Sequence, residues 1–283
     1  MPPIPRAPLR VAAAQAEPNP GDIAGNAAVA ARLAARAAGE GARLVVLPEM
    51  FLTGCHVPAL RADPVGTHLA VDETTRIGDI RLDPLRAVAR DQKVVVVVSA
   101  AVRHADARRT NSALVIDRRG GVLSAYDKQH LWGEEVDLFS PGTEGATLAV
   151  DGWWLGLGIC YDASFPEHGR AAADDGAHGY LCPIGYQEGS QHRRDLHGAA
   201  RALDNTMYVV FANQVGGASP ARFNGGSAIY EPEGRPLRRA PDFGEHIILA
   251  DFDPTELGRI RLAHRMLLDR RPDLGAGRRL CRA

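Results

Sequence analysis

Leu155-Gly156-Leu157-Gly158-Ile159-Cys160-Tyr161-Asp162-Ala163-Ser164-Phe165-Pro166-Glu167 begins as an apolar run and stops abruptly at a cysteine. A short polar turn follows, then Pro166-Glu167, then an Ala-rich segment to Ala173 that reads as a helix. Proline fits a first helical turn, because its missing N–H would lack a partner there in any case. Cys160 therefore falls where a buried strand turns sharply into a helix. Such an elbow can expose one side chain at the end of a sheet, with free backbone N–H groups beside it. That setting suits a nucleophile. It also suits a buried, inert thiol, since free cysteine packs as a small hydrophobe. The elbow alone leaves both readings open.

Downstream of the elbow, strands are expected at 179–182 and 207–212, with a helix near 190–205 between them. A hairpin over 228–237 turns at Glu233-Gly234, a last strand covers 246–252, and Pro254 starts a short helix. Upstream, 147–150 and 153–159 join at Asp151-Gly152. A second hairpin, 112–117 with 122–127, closes around Arg118-Arg119-Gly120-Gly121. Residues 93–102 form a β-branched strand. The spacing of Ile77, Ile80, Leu85, Val88 and Ala89 predicts a helix over 74–91, with Pro84 as a break or second start. Residues 43–47 are apolar after the first, as expected of a strand covered on both faces. Before them come a strand at 9–14 and an Ala-rich helix at 23–39 capped by Asp22. The Arg-rich end reads as irregular. No linker, repeat or composition break interrupts the chain. The expectation is one domain over 1–283, with its core at about 8–262 and a tail, 263–283, available for subunit contact. Strands outnumber helices and helices recur between them, which makes the class α/β or mixed α+β in layers.

A length of 283 residues fits one large domain or two small ones. A formal net charge of −1 supplies no bulk field to attract nucleic acid or an anionic membrane. The longest apolar run, 94–102, is interrupted by Ser99 and is far too short to span a bilayer. The segment Met1-Pro2-Pro3-Ile4-Pro5-Arg6 lacks the apolar core and cleavage site of a signal peptide. Cys55, Cys160, Cys182 and Cys281 form no CxxC pair, against a disulfide scaffold and a zinc knuckle. The simplest expectation is a soluble, cytoplasmic protein, where a cysteine nucleophile stays reduced.

Two other strand exits bear on Cys160. Glu49 follows Leu44-Val45-Val46-Leu47-Pro48 directly. A carboxylate beside the core is partly desolvated, and its pKa rises toward the range useful for proton transfer. A surface glutamate at a strand exit is the commoner case. Lys128 follows another apolar strand, in Tyr126-Asp127-Lys128-Gln129-His130-Leu131-Trp132. It is either a solvated cation or a group that stabilises a developing negative charge. Three exits converging on one edge would supply a thiol nucleophile, a carboxylate base and a cationic oxyanion stabiliser. That set suits acyl transfer through a thioester.

The order Pro48-Glu49-Met50, Lys128-Gln129-His130-Leu131, Gly158-Ile159-Cys160-Tyr161-Asp162 resembles the nitrilase, or carbon–nitrogen hydrolase, superfamily. The resemblance extends to Phe139-Ser140-Pro141-Gly142, Phe165-Pro166-Glu167 and Arg201-Ala202-Leu203-Asp204-Asn205, and so covers nearly the whole chain. It implies a four-layer α-β-β-α sandwich that assembles as a homodimer or larger. It maps a Glu-Lys-Cys triad onto Glu49, Lys128 and Cys160, and a second glutamate onto Glu135, with Glu134 as the alternative. The backbone N–H of Tyr161 would join Lys128 in holding the oxyanion. No metal and no organic cofactor is implied. The expected partners are a small amide and water. Tyr161-Asp162 after the cysteine resembles amidase-like branches, whereas nitrilases more often carry Trp-Glu there. The implied reaction is hydrolysis of a small linear amide to a carboxylate and ammonia. An N-carbamoyl amine or a nitrile is the alternative substrate.

Competing readings are weaker. A Cys-His arrangement could draw on His130, His168, His192 or His197, none of which lies in a protease signature. His192 and His197 are five residues apart, poor spacing for two metal ligands on one helix face. A non-catalytic binding role on the same scaffold would not need Glu49, Lys128 and Cys160 together. Substrate contacts are expected from Trp132, Phe165, Tyr186 and Glu188 in the flanking loops. For Trp132 and Tyr186 ordinary packing competes equally, and exposed loop glutamates such as Glu188 are common.

Overall fold

The computed structural model describes residues 3–217, 222–271 and 277. The elements run in chain order β1 (Leu9–Gln15), α1 (Ile23–Gly39), β2 (Leu44–Val46), α2 (Val57–Ala62), β3 (Leu69–Ala70), α3 (Asp83–Asp91), β4 (Val95–Arg103), β5 (Arg109–Ile116) and β6 (Val122–Asp127). The second half holds β7 (Thr147–Val150), β8 (Trp153–Leu157), α4 (Pro166–Asp174), β9 (Gly179–Ile184), α5 (Gln191–Asn205), β10 (Tyr208–Asn213), β11 (Val215–Gly216) and β12 (Phe223–Asn224). It closes with β13 (Ala228–Tyr230), β14 (Pro236–Arg239), β15 (His246–Phe252), α6 (Pro254–Ala263) and α7 (Met266–Asp269).

Two sheets carry the fold. One has the order β15-β1-β2-β4-β5-β6, with β3 beside β4, and the other β14-β13-β10-β9-β8-β7. Each has three parallel strands at its centre, β1-β2-β4 and β8-β9-β10, flanked by antiparallel neighbours. Parallel neighbours need crossovers, and α1, α3, α4 and α5 supply them.

Strand alternation sorts the side chains into layers. Val11, Ala13, Leu44, Val46, Val95 and Val97 face inward onto Leu155, Leu157, Leu181, Tyr208 and Val210 of the other sheet. Their sequence neighbours Ala12, Ala14, Val45, Val96 and Val98 face outward onto Ala27, Ala30, Leu33 and Ala34 of α1. Across the second sheet, Tyr180, Cys182, Val209 and Phe211 meet Ala173 of α4 and Ala202 of α5. The result is the expected α-β-β-α layering. Period 2 in the strands and the alanine face of α1 produce it together.

The helix expected over 74–91 begins later. Asp72 Oδ1 accepts the N–H groups of Thr74 and Arg76 and the hydroxyl of Thr74. That local turn competes with helix, and Ile77 N–H then bonds the carbonyl of Val122. Helical backbone starts only with a 3₁₀ turn at Ile80–Leu82, and Pro84 sits in the first turn of α3. The tail is not wholly irregular, since α7 follows α6; Cys281 and most of the Arg-rich end lie outside the described residues. Among the described residues no helix is long and apolar enough to cross a membrane.

Candidate active site

The exits of β2, β6 and β8 converge. Glu49 stands three residues past β2, Lys128 one past β6, and Cys160 three past β8. The main chain pins each in place. Glu49 N–H bonds the Ile184 carbonyl at 3.3 Å, and the Gln214 side-chain amide bonds the Glu49 carbonyl, so the second sheet holds a residue of the first. Lys128 N–H bonds the Asn111 carbonyl at 2.9 Å across the β5-β6 hairpin.

Two non-glycine residues here adopt left-handed backbone: Met50 at φ 50° and Cys160 at φ 45°. Side chains rarely tolerate this region, and such strain concentrates where a site requires it. At Cys160 it makes the elbow. The strand ends, and a 3₁₀ turn over Cys160–Ser164 leads into α4 at Pro166. Gly158 is required just before it, because a Cβ there would stand 1.8 Å from the Tyr180 hydroxyl.

Lys128 lies between two carboxylates. Its Nζ is 2.7 Å from Glu49 Oε1 and 2.6 Å from Glu135 Oε2. Glu134, by contrast, pairs with Arg61 at 3.5 Å on the surface, so Glu135 is the glutamate brought to the lysine. Glu135 is held further by the Trp132 N–H at 2.7 Å and the Asn111 amide at 3.0 Å. Both of its carboxylate oxygens are engaged. The Cys160 thiol faces the Glu49 carboxylate and the Gly185 N–H. A Cβ at Gly185 would stand 2.8 Å from Glu49 Oε2, so glycine is what lets this strand end approach.

Burial dominates the proton affinities. It pushes the Glu49 carboxyl up, against the opposing pull of the Lys128 ammonium. It also pushes the Cys160 thiol well up, aided by the neighbouring Glu49 charge. Burial disfavours the Lys128 ammonium, yet Glu49 and Glu135 outweigh it and hold that group well above its ordinary value. The arrangement sets a thiol that holds its proton tightly beside the Glu49 carboxyl group and a fixed cation.

Beneath the elbow lies a second polar group that the sequence did not reveal. Asp162 is fully buried and accepts four hydrogen bonds: Ile159 N–H at 2.9 Å, Tyr126 Oη–H at 2.7 Å, His130 N–H at 2.9 Å and His130 Nδ1–H at 2.8 Å. It ties the cysteine elbow to the lysine loop. Tyr126 Oη in turn meets His168 Nε2 at 2.8 Å, and His168 Nδ1 meets Tyr180 Oη at 2.9 Å. Burial lowers the His168 pKa, which fits a neutral ring that donates to one tyrosine and accepts from the other. His130 and His168 are thus bonded to Asp162 and the tyrosines.

The other expected contacts divide. Trp132, Tyr161 and Phe165 form an aromatic group beside the triad, with Trp132 and Tyr161 rings 4.8 Å apart and Phe165 4.9 Å from Tyr161. Phe165 also stacks on His130 at 3.9 Å. Tyr186 follows Gly185, and its hydroxyl meets His197 Nδ1 at 2.8 Å. Glu188 lies in the loop after Tyr186. It is exposed, pairs with Arg222 at 3.4 Å, and lines a separate groove of about 600 Å³ with Glu17, Arg32 and Asp242. Sequence reasoning also missed Asn111, a buried amide inside β5. The available signal was its register, since closing the hairpin at 118–121 places it across from Lys128.

The carbon–nitrogen hydrolase family model matches residues 10–262. A protein named hydrolase in pqqF 5'region, from Pseudomonas protegens, is 33% identical over 94% of this chain and 90% of its own. An (R)-stereoselective amidase from a Pseudomonas species is also 33% identical, over 84% of each chain. Among solved structures, a double mutant of the amidase from Nesterenkonia sp. AN1 in complex with acrylamide superposes with a TM-score of 0.80 at 30% identity. The match covers 95% of this chain and 97% of that one.

Proposed function

The chain belongs to the carbon–nitrogen hydrolase family, and from that premise we propose that it hydrolyses a small linear amide to a carboxylate and ammonia through a thioester on Cys160. The observation that carries this reading is the meeting of a protonated thiol, a buried carboxylate and a buried ammonium at the exits of three strands. Glu49 takes the thiol proton as Cys160 sulfur attacks the amide carbon. The carbonyl oxygen becomes the oxyanion. Two of the three Lys128 N–H bonds go to Glu49 and Glu135, which leaves the third to hold that oxygen. Tyr161 N–H joins it from the first turn of the 3₁₀ segment, where N–H groups have no partner within the turn. The intermediate collapses, the C–N bond breaks, and Glu49 returns its proton to the leaving nitrogen. Water then attacks the thioester as Glu49 takes its proton, and the departing sulfur recovers that proton as the acid is released.

Two further observations support the amide reading. A mutant of the Nesterenkonia amidase also has a structure with the acetamide moiety of fluoroacetamide covalently added at the active-site cysteine. Trp132, Tyr161 and Phe165 offer an apolar, aromatic wall for a small acyl group. The reading extends to a homodimer or larger, supported by exposed Leu196 and Leu203 on α5, Leu262 on α6 and Leu268 on α7, and tested by light scattering of the purified chain.

The test is ammonia release from a panel of small amides, nitriles and N-carbamoyl compounds, with wild type and Cys160→Ala run in parallel. Release from amides that falls to background in the variant is the expected result. Activity confined to nitriles or carbamoyl compounds would reassign the reaction, and activity surviving Cys160→Ala would remove the nucleophile.

A further inference from the structure

Asn111 and Ser99 are fully buried polar side chains at the heart of the site, and the chemistry described so far does not use them. They lie diagonally across the β4-β5 pair on one face, since Ser99 is in register with Ala113. Ser99 Oγ accepts the Met50 N–H at 3.0 Å. Its single hydrogen is then free to go to Asn111 Oδ1, 2.7 Å away. That fixes the Asn111 amide, whose carbonyl is occupied by a donor and whose two N–H bonds must point the other way. They reach Glu49 Oε1 and Glu135 Oε1, each at 3.0 Å. The flipped amide would aim a carbonyl oxygen at two carboxylates and its NH₂ at the serine.

Glu49 Oε1 thereby receives two donors, Lys128 and Asn111. Oε2 faces Gly185, the residue whose N–H also meets the Cys160 sulfur. We infer that Asn111, oriented by Ser99, is a positioning residue that saturates Glu49 Oε1 and Glu135 Oε1 and leaves Glu49 Oε2 as the oxygen that exchanges a proton with Cys160. The relay acts on the main chain as well, because Ser99 holds the N–H of the left-handed Met50 next to the base. One Ser-Asn pair thus sets the backbone after Glu49, the rotation of its carboxylate and the spacing of the two acids around the lysine. The inference rests on the thiol chemistry proposed above.

Hydrogen bonds to a charged group stabilise the charged form, so removing Asn111 raises the proton affinity of Glu49. Charged and titratable groups facing Glu49 are Lys128 after β6, Glu135 in a 3₁₀ turn over Gly133–Asp137, Cys160 at the elbow, Cys55 in its own loop and Cys182 on β9. None of them is substituted in the variants. The test is the pH dependence of Cys160 alkylation by iodoacetamide, read by peptide mass so that Cys55 is scored separately, alongside the pH dependence of kcat/KM for ammonia release. In Asn111→Leu the acidic limb of both profiles is expected to move up by about one to two pH units, the loss of a hydrogen bond to a charged group. Asn111→Asp keeps the shape and sets a third carboxylate against Glu49, so its limb moves at least as far. Ser99→Ala leaves the amide in place but unoriented and moves the limb less, in the same direction. Thermal melting confirms that each variant is folded. Limbs that coincide with wild type in folded Asn111→Leu and Asn111→Asp would overturn the inference. Alkylation needs no amide substrate, so its result stands apart from whether the amide reading is right.

Discussion

Lys128 and Glu245 occupy mirror-image positions. Lys128 is an ammonium between two carboxylates, 2.7 Å from Glu49 and 2.6 Å from Glu135. Glu245 is a carboxylate between two guanidinium groups, 2.5 Å from Arg32 and 3.2 Å from Arg36. The distances are alike and both clusters join parts of the chain far apart in sequence. The surroundings differ. The Lys128 side chain is 1% exposed, while Arg32 and Arg36 are about half exposed. In water the gain of pairing is offset by solvent screening and the entropy of long side chains. In the core Glu49 and Lys128 have little water to fall back on. Geometry therefore does not tell which ion pair matters. Burial does, and it also sets the direction of each shift, since Glu49 is pushed up by burial whereas Glu245 is pulled down by its bond to Arg32.

Lys128→Met should separate the clusters most sharply. It leaves Glu49 and Glu135 without the cation between them, and breaking a buried pair in this way costs about 3–5 kcal/mol. Urea unfolding would measure that loss, and turnover should vanish with it. A loss below about 1 kcal/mol would mean that the buried cluster behaves like a surface one, and the contrast would fail.

Asp162→Ala comes next. Asp162 accepts bonds from both the elbow and the lysine loop, so its removal strands four donors. The expected cost is on the order of 3 kcal/mol, because each buried donor left unpaired is expensive. Alkylation of Cys160 should slow as well, because the elbow and the lysine loop lose their shared anchor. Unchanged stability and alkylation would show that the elbow holds its shape without this strut.

Much of this was visible in the sequence. Cys160, Lys128 and Glu49 each end or closely follow an apolar strand, and an ionisable residue against such a run is conspicuous. The alternation of the strands and the alanine face of α1 carried the layering. Asn111 and Asp162 were not conspicuous, because a neutral amide in Arg109-Thr110-Asn111-Ser112 looks like the polar face of a strand, and an aspartate in a turn looks like a cap. Their meaning comes from partners distant in the chain: Glu49 lies 62 residues from Asn111, and His130 lies 32 from Asp162. Glu188 illustrates the opposite situation. It stands three residues after Gly185, which meets the triad, but the chain has by then turned toward Arg222. Only tertiary contact separates these cases.

The pH dependence of stability gives a third test. Glu49 has an ordinary value of 4.5 and a higher one in the folded protein. Between those values the folded state binds more protons than the unfolded state. Glu49 therefore contributes stability below pH 4.5 that is lost as the pH rises through that window. Glu49→Gln should flatten this part of the stability curve. A curve that stays parallel to wild type would mean that Lys128 cancels the effect of burial.

Glu245→Gln should give the smallest effect, of opposite sign. The folded value of Glu245 lies below its ordinary 4.5, first through its bond to Arg32. Its contribution is present above pH 4.5 and is lost as the pH falls toward the folded value. The carboxylate is about one-third exposed and its partners more so, and exposed pairs of this kind contribute about 0.5 kcal/mol. Urea unfolding at pH 7 should therefore show a small loss in Glu245→Gln that shrinks at pH 3 and in 1 M salt, where the Debye length falls to about 3 Å. Arg32 bonds both carboxylate oxygens, at 2.7 and 2.5 Å, and that two-pronged geometry is the most favourable an exposed pair can have. If Glu245→Gln nonetheless cost as much as Lys128→Met, good geometry alone would outweigh solvent exposure, and burial would no longer be what distinguishes the two clusters.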